Sequence, residues 1–307
     1  MVFGEDIEIN QHTWYPDYTR AREIVQKIGG LIKAICLAFQ LALYCLPMNV
    51  HRLSSFHTEK WILRLGSFVL LAMGWEIMAR NVNSLLLPSF TQTMSALAQL
   101  LTTRELWDAL WISNQAMVLG FGCAAVLGVS LGIAMGRWRV AEQLLDPYLN
   151  ILLVTPMSAL IPIVIMATGL GIVSRVLIVF TFALTVIVVN TRAGLQTINP
   201  SWLEMARSFG ATERQLWLRI FFRGALPAIL TGLRLGLARA ITGMLTVELL
   251  LLALGIGRLI LDFQGTFESA NLYATVLVVV AEAVLLMQLF KRLERRATPW
   301  VGQAAIE

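Results

Sequence analysis

Six apolar stretches run through this 307-residue chain, at 61–80, 113–135, 148–168, 173–193, 227–252 and 271–290. Each is close to the length, about 20 residues, that crosses the hydrocarbon of a bilayer as a helix. The expected class is therefore all-α: a polytopic membrane protein with a six-helix transmembrane core. Hydrophobic residues make up 57% of the chain and charged ones 14%, against about 25% charge in soluble domains.

A seventh apolar stretch, "IGGLIKAICLAFQLALYCL" at 28–46, carries Lys33 and Gln40. It reads as an interfacial amphipathic helix or as an extra span. The chain thus divides into an N-terminal extension (1–55), a transmembrane domain (56–300) and a short tail (301–307). The first residues, "MVFGEDIEINQHTWYPDYTR", are polar and acidic, unlike a secretory signal.

Basic residues set the orientation. With the N-terminus inside, the inner flanks of the six spans carry Arg52, Lys60, Arg64, Arg137, Arg139, Arg192, Arg207, Arg214, Arg219, Arg223, Lys291, Arg292, Arg295 and Arg296. The outer flanks carry only Arg80, Arg104, Arg175 and Arg258. Cytoplasmic loops are the ones enriched in Lys and Arg, so both termini are expected in the cytoplasm. If 28–46 spans, only the first 27 residues move outside. The net charge of +5 is accounted for by these loops, and no nucleic-acid partner is implied.

Within 120–136 small residues recur at every fourth position: Gly120, Ala124, Gly128, Gly132 and Gly136. Such a stripe lets another helix approach closely, within one bundle or between subunits. Pro156 and Pro162 predict a kink in the third span.

Residues 201–223, "SWLEMARSFGATERQLWLRIFFR", interrupt the apolar pattern. Ser201 with Glu204 has capping-box spacing, and so does Thr212 with Gln215. Gly210 stands between them, where a helix C-terminus favours glycine. The pattern predicts two short helices turned at Gly210–Ala211. On the second, Leu216/Ile220 and Trp217/Phe221 repeat at i, i+4 and form an apolar stripe for a partner or the membrane to cover, leaving Arg214, Arg219 and Arg223 for the other face.

No G-x-x-x-x-G-K-[ST] loop is present, and none of the four lysines (27, 33, 60 and 291) follows a glycine. No catalytic constellation stands out, and Cys36, Cys45 and Cys123 form no metal-ligand spacing with the three histidines. No enzyme site, metal or bound cofactor is expected on this chain. Asn190, Arg234, Arg239, Glu248 and Glu282 lie inside spans, where charge is costly and tends to face a cavity or a partner. They are candidates to line a translocation path, although Arg234 is close enough to the inner end to snorkel. Arg239 and Glu248 stand about 13 Å apart along a helix and do not form a local pair.

"EMARSFGATERQLWLRIFFRGALP" resembles the cytoplasmic loop of ABC importer permeases, with Glu204, Ala206, Gly210 and Ile220 at the family's spacing. Met205 departs from that pattern. Phe222–Arg223 stands where a Leu-Pro pair is usual, and Leu226–Pro227 supplies one slightly later. Over about 85–300, "LLDPYLNILLVTPMSALIPIVI", "TGLRLGLARAITGMLTVELL" and "LERRATPW" are similar to the nitrate/sulfonate/taurine subgroup of binding-protein-dependent permeases. The resemblance implies a permease subunit in the bacterial inner membrane, translocating a small anion such as a sulfonate, taurine or nitrate. A thiamine precursor or an aromatic acid stays open as substrate. It further implies a second permease copy, an extracytoplasmic binding protein and two ATPase subunits that hold ATP and Mg. The loop would act as a coupling helix, with Glu204, Ala206, Arg207, Gly210, Ile220 and Pro227 as its ATPase-coupling residues. Glu204 has two readings: a contact to the ATPase, or a cap for its own helix. A secondary transporter, a channel or a membrane enzyme are the rival classes.

Overall fold

The computed structural model describes residues 57–82, 86–252 and 254–300, and every regular element among them is a helix. The N-terminal extension, the 28–46 segment and the tail at 301–307 lie outside the described residues. Helix α1 (His57–Val82) contains the stretch expected as the first span and belongs to a unit of its own, residues 1–84. The second unit, residues 85–307, carries the other elements. They are α2 (Phe90–Leu100), α3 (Arg104–Arg137), α4 (Arg139–Val154), α5 (Met157–Thr168), α6 (Ile172–Gln196), α7 (Pro200–Ser208), α8 (Glu213–Leu250), α9 (Gly255–Gly265) and α10 (Ser269–Ala297). Helix α8 holds two wide π-helical turns, at Leu216–Phe221 and from Glu248 onward.

Among the described residues, α3, α6, α8 and α10 are long and apolar enough to cross a membrane. The pair α4–α5 makes a fifth span if its two halves count as one. The expected third span at 148–168 is broken rather than kinked, because α4 and α5 meet at 104°. Thr155 is extended (φ −67°, ψ 127°), and Pro156 after it cannot donate to the helix and disfavours helical geometry before it.

Helix α6 is the axis of the second unit. The small-residue stripe of α3 lies along one side of it: Gly120 against Val179 and the carbonyl of Val176, Gly128 against Ile187, Gly132 against Thr191, Gly136 against Leu195. Helix α8 approaches α6 by the same device, with Gly232 on Asn190, Gly236 on Ile187 and Gly243 on Phe182. The stripe is thus a packing face within one chain. Around it Met117, Ala124, Val179, Ala183, Ile187, Leu237, Ala240 and Met244 form a buried cluster. A second cluster joins α2, α3, α9 and α10 through Leu100, Leu106, Ile256, Leu259 and Val278. By contrast, α4 and α5 turn large apolar side chains outward, among them Tyr148, Ile151, Val154, Ile163 and Met166.

One end of this unit is strongly basic. Arg137 at the end of α3 lies over Trp217 of α8. Gly136 meets Leu195 near the end of α6, and Arg234 of α8 reaches Glu294 of α10.

The close approach sets a test. A Cβ on residue 132 would stand 2.9 Å from the Val188 carbonyl oxygen, and backbone cannot rotate away as a side chain does. Gly132→Val is expected to cost about 3 kcal/mol or more, read as a lowered melting temperature of the detergent-purified protein. Gly122→Ala, with open space at its Cβ position, is expected to leave melting unchanged.

Candidate functional site

Two features carry chemistry: the helix pair at the basic end, and the polar groups inside the spans.

The pair begins two residues earlier than the Ser201–Glu204 spacing implies. Asn199 is the cap, its side-chain oxygen accepting from the Ser201 N–H at 2.9 Å, and Pro200 fills the first helical position. Asn is a strong cap, and proline, with φ preset and no N–H to satisfy, suits the next place. The expected Ser201–Glu204 box is therefore not formed. Glu204 is exposed, and its carboxylate has no hydrogen-bond or ion-pair partner among the described residues. Capping, one of the two readings of Glu204, drops out.

Helix α7 ends as expected. Gly210 adopts φ +75°. The Ala211 N–H donates to the Ala206 carbonyl at 3.0 Å and the Gly210 N–H to that of Arg207 at 2.9 Å, a Schellman closure. Thr212 and Gln215 make the expected capping box at the start of α8. Arg207 pairs within its own loop, with Glu213 at 3.2 Å, and Glu213 also faces Arg137 at 3.9 Å. These pairs are exposed, and each adds little stability.

The apolar stripe expected to await a partner is already covered. Leu216 is fully buried, and Trp217 stacks on Phe221 with centroids 4.5 Å apart. Ile220 and Phe221 pack on Leu195, Ile198, Ala225 and Ile229 of the same chain. The exposed apolar face belongs instead to α7, which buries none of its residues. There Trp202, Met205 and, at the cap just beyond, Phe209 are 55%, 56% and 85% exposed. Their i, i+3, i+7 spacing is present in the sequence as a helical stripe, but the richer stripe on the second helix masks it.

The five in-span polar residues fall in different surroundings. Glu248 is fully buried near the other end of the unit. Its Oε2 accepts from Ser113 Oγ at 2.8 Å and from the Gly257 N–H at 3.1 Å, and Oε1 lies 3.8 Å from Arg175. Ser113 Oγ in turn accepts from the Ile256 N–H at 3.0 Å, so one carboxylate and one hydroxyl fasten the first turn of α9 to α3 and α8. Glu282 of α10 accepts a hydrogen bond from Asn114 of α3. Arg234 pairs with the buried Glu294 at 3.3 Å. Asn190 donates to the Val186 carbonyl of its own helix.

Arg239 differs. It is exposed, has no partner among the described residues, and lines an open cleft of about 470 Å³. The cleft lies against the α4–α5 break, where Thr155 and Ser158 join Phe182, Thr185 and Thr246 in its wall. One cluster has no counterpart among the expected site residues: Arg192 holds Glu142 at 2.6 Å and also Asp146, and Gln196 donates to Glu142 at 2.9 Å. Its bonded pairs span 46–54 residues, beyond any local spacing rule. No group of three or more His, Cys, Asp or Glu arranged to hold a metal exists among the described residues.

Residues 124–299 match the family described as binding-protein-dependent transport system inner membrane component. A taurine transport system permease protein of Escherichia coli (strain K12) is 28% identical over 76% of this chain and 88% of its own length. A formylaminopyrimidine transport permease protein of Halalkalibacterium halodurans is 30% identical over 76% of this chain and 93% of its own. A nitrate import permease protein of Synechocystis sp. is 27% identical over 80% and 93%.

The buried carboxylate and the cleft arginine predict opposite stability effects. Glu248→Ala strands Arg175 and leaves the Ser113 hydroxyl and Gly257 N–H without their acceptor, a loss expected at about 3–5 kcal/mol. Arg239→Gln is expected to leave stability unchanged. Thermal unfolding of the purified variants compares the two.

Proposed function

The chain belongs to the family of binding-protein-dependent transport system inner membrane components, and we infer from this premise that α7 is the handle by which an ATPase drives it. The protein is the transmembrane permease subunit of an ABC importer.

The observation that carries the proposal is the exposed Trp202–Met205–Phe209 face on a helix closed at both ends. A groove on a separate ATPase subunit, holding ATP and Mg, covers that face. Glu204 is free of internal partners and makes a polar contact at the rim. Arg207 acts indirectly, by bracing the turn through Glu213. Ala206 and Gly210 shape the Schellman closure, Ile220 anchors the second helix in the core, and Pro227 lies in α8 just beyond it. Two permease copies face each other across outward apolar surfaces such as that of α4–α5. They are flanked by two ATPases and fed by an extracytoplasmic binding protein. The basic end faces the cytoplasm of a bacterial cell and the complex sits in the inner membrane, with residues 1–55 as an extension, 56–300 as the transmembrane domain and 301–307 as a tail. ATP binding draws the ATPases together, the coupling helices carry the motion into α6 and α8, and hydrolysis resets the pair.

The substrate is a small anion, in keeping with taurine and nitrate in the names of relatives. Arg239, with its hydroxyl-bearing neighbours at the α4–α5 break, attracts it in the cleft. Glu248, Glu282, Arg234 and Asn190 frame the path from behind, through internal contacts.

Two measurements test this reading. Trp202→Ala with Phe209→Ala is expected to abolish co-purification of the ATPase and ATP-driven uptake while the permease melts normally. Glu204→Gln and Glu204→Ala should lower coupling alike, since no cap is lost; full coupling in the double aromatic variant would reject the face. Arg239→Gln is expected to cut uptake of an anionic substrate by roughly tenfold or more, the worth of a charge-assisted hydrogen bond, with ATPase co-purification intact. Undiminished uptake would remove Arg239 from the path.

A further inference from the structure

A groove of about 640 Å³ opens between α7, the start of α8 and Trp300, just past α10. Trp202 and Met205 border it on the α7 side, and Arg219, Ile220, Arg223, Pro227 and Trp300 form its other walls. Arg219 and Arg223 stand one helical turn apart and on the same face. Neither has a carboxylate within ion-pair reach among the described residues. The acidic groups of this end are otherwise engaged: Glu213 by Arg207 and Arg137, Glu294 by Arg234, Glu142 and Asp146 by Arg192. Glu204 has no partner among the described residues, and it does not line the groove.

We propose that this groove is a binding site for an anionic phospholipid of the inner leaflet, its phosphate held by Arg219 and Arg223 and its glycerol and upper chains laid against Ile220, Pro227 and Trp300, leaving Trp202 and Met205 to the ATPase. The inference rests on the reading that the basic end faces the cytoplasm. Three observations select a lipid over a soluble anion. The lining joins two unpaired guanidinium groups to tryptophan, isoleucine and proline surface, which a bare phosphate would leave uncovered. The neighbouring row of the same helix, Leu218 and Phe222, is exposed at 57% and 48%. An apolar row beside a basic row is the pattern of a helix at the boundary between acyl chains and headgroups. Trp300, about half exposed, suits that boundary, where an amphipathic ring is half buried and half wet. The site also has work to do. Helix α7 buries none of its residues, and a lipid bridging Arg219 and Arg223 of α8 to Trp300 would fill the groove beside the coupling helix and hold the start of α8 at the membrane surface.

The test is native mass spectrometry of the detergent-purified permease, offered phosphatidylglycerol, phosphatidylethanolamine or inorganic phosphate. Wild-type protein is expected to retain phosphatidylglycerol in preference to phosphatidylethanolamine, with retention falling as salt rises. R219Q/R223Q is expected to lower phosphatidylglycerol retention about thirtyfold, the worth of two basic residues near a headgroup, while R219K/R223K keeps most of it. R139Q, an exposed arginine outside the groove, is expected to leave it unchanged. Equal retention by wild type and R219Q/R223Q, equal binding of phosphatidylethanolamine, or displacement by millimolar inorganic phosphate would each overturn the lipid site. So would a double variant that keeps its lipid but loses the ATPase, which would assign the arginines to docking. The salt dependence reads the wild-type protein alone, so it stands even if the glutamine variant folds poorly. Impermeant maleimide labelling at Ser208→Cys in a cysteine-free background, in intact cells and inverted vesicles, reads the orientation separately.

Discussion

The close approach of α3 and α8 to adjoining faces of α6, meeting at Ile187, is the contact on which the rest of the second unit depends. In a bilayer there is no water to expel from between helices, so association comes from shape and from polar contacts. Glycine at 120, 128, 132 and 136 of α3, and at 232, 236 and 243 of α8, lets α6 seat its side chains directly on neighbouring backbone, with Ile187 meeting both helices. The three helices share one buried cluster. Both ends of α6 are then fastened electrostatically: Arg175 near one end faces Glu248, and Arg192 near the other holds Glu142 and Asp146. Helix α7 begins just past Thr197 and Ile198, at the end of α6, so in the proposed coupling a push on it would reach α6 directly.

The same economy governs intramembrane charge. A charged group in hydrocarbon needs a partner, an aqueous cavity or a reach to the surface. Glu248, Glu282 and Arg234 have partners within the chain. Arg239 has none among the described residues and borders a cleft beside the α4–α5 break. Breaking α4 from α5 at Thr155–Pro156 opens room beside α6 and α8 and turns hydroxyl groups into it.

How much of this is legible in the sequence depends on the range of each interaction. Helical class, the glycine stripe, the Gly210 turn and the Thr212–Gln215 box are set by periodicity or by residues within a few positions, and they emerge as expected. The Ser201 cap fails locally, because Asn199–Pro200 is the stronger start signal and stands just ahead of it. Two prolines announce a disturbance in 148–168, but no spacing rule yields a 104° break. The partners of Glu248 and Glu282 lie 135 and 168 residues away in sequence, so their engagement within the chain cannot be read from spacing. The stripe on the second helix looks in the sequence like a face awaiting a partner, because amphipathicity reports that a face will be buried and not by what. Leu195 and Ile198, from the preceding span and its exit, cover it first.

That last distinction bears on how such a loop transmits force. A helix pair with both apolar faces exposed would be tethered to the bundle only through its connections, and a partner moving it would mostly bend the connections. A pair with both faces buried would offer nothing to hold. Here the second helix is sealed into the core through Leu216, Trp217 and Phe221, and the first presents Trp202, Met205 and Phe209. Between them stands a closure with no slack: a positive-φ glycine, a capping box, and Glu213 shared by Arg207 and Arg137. The individual ion pairs are weak, but the turn has few soft dihedrals left to absorb a displacement. In the proposed coupling, motion applied to the exposed helix would pass to the buried one, and from there along α8 to the cleft that Arg239 borders.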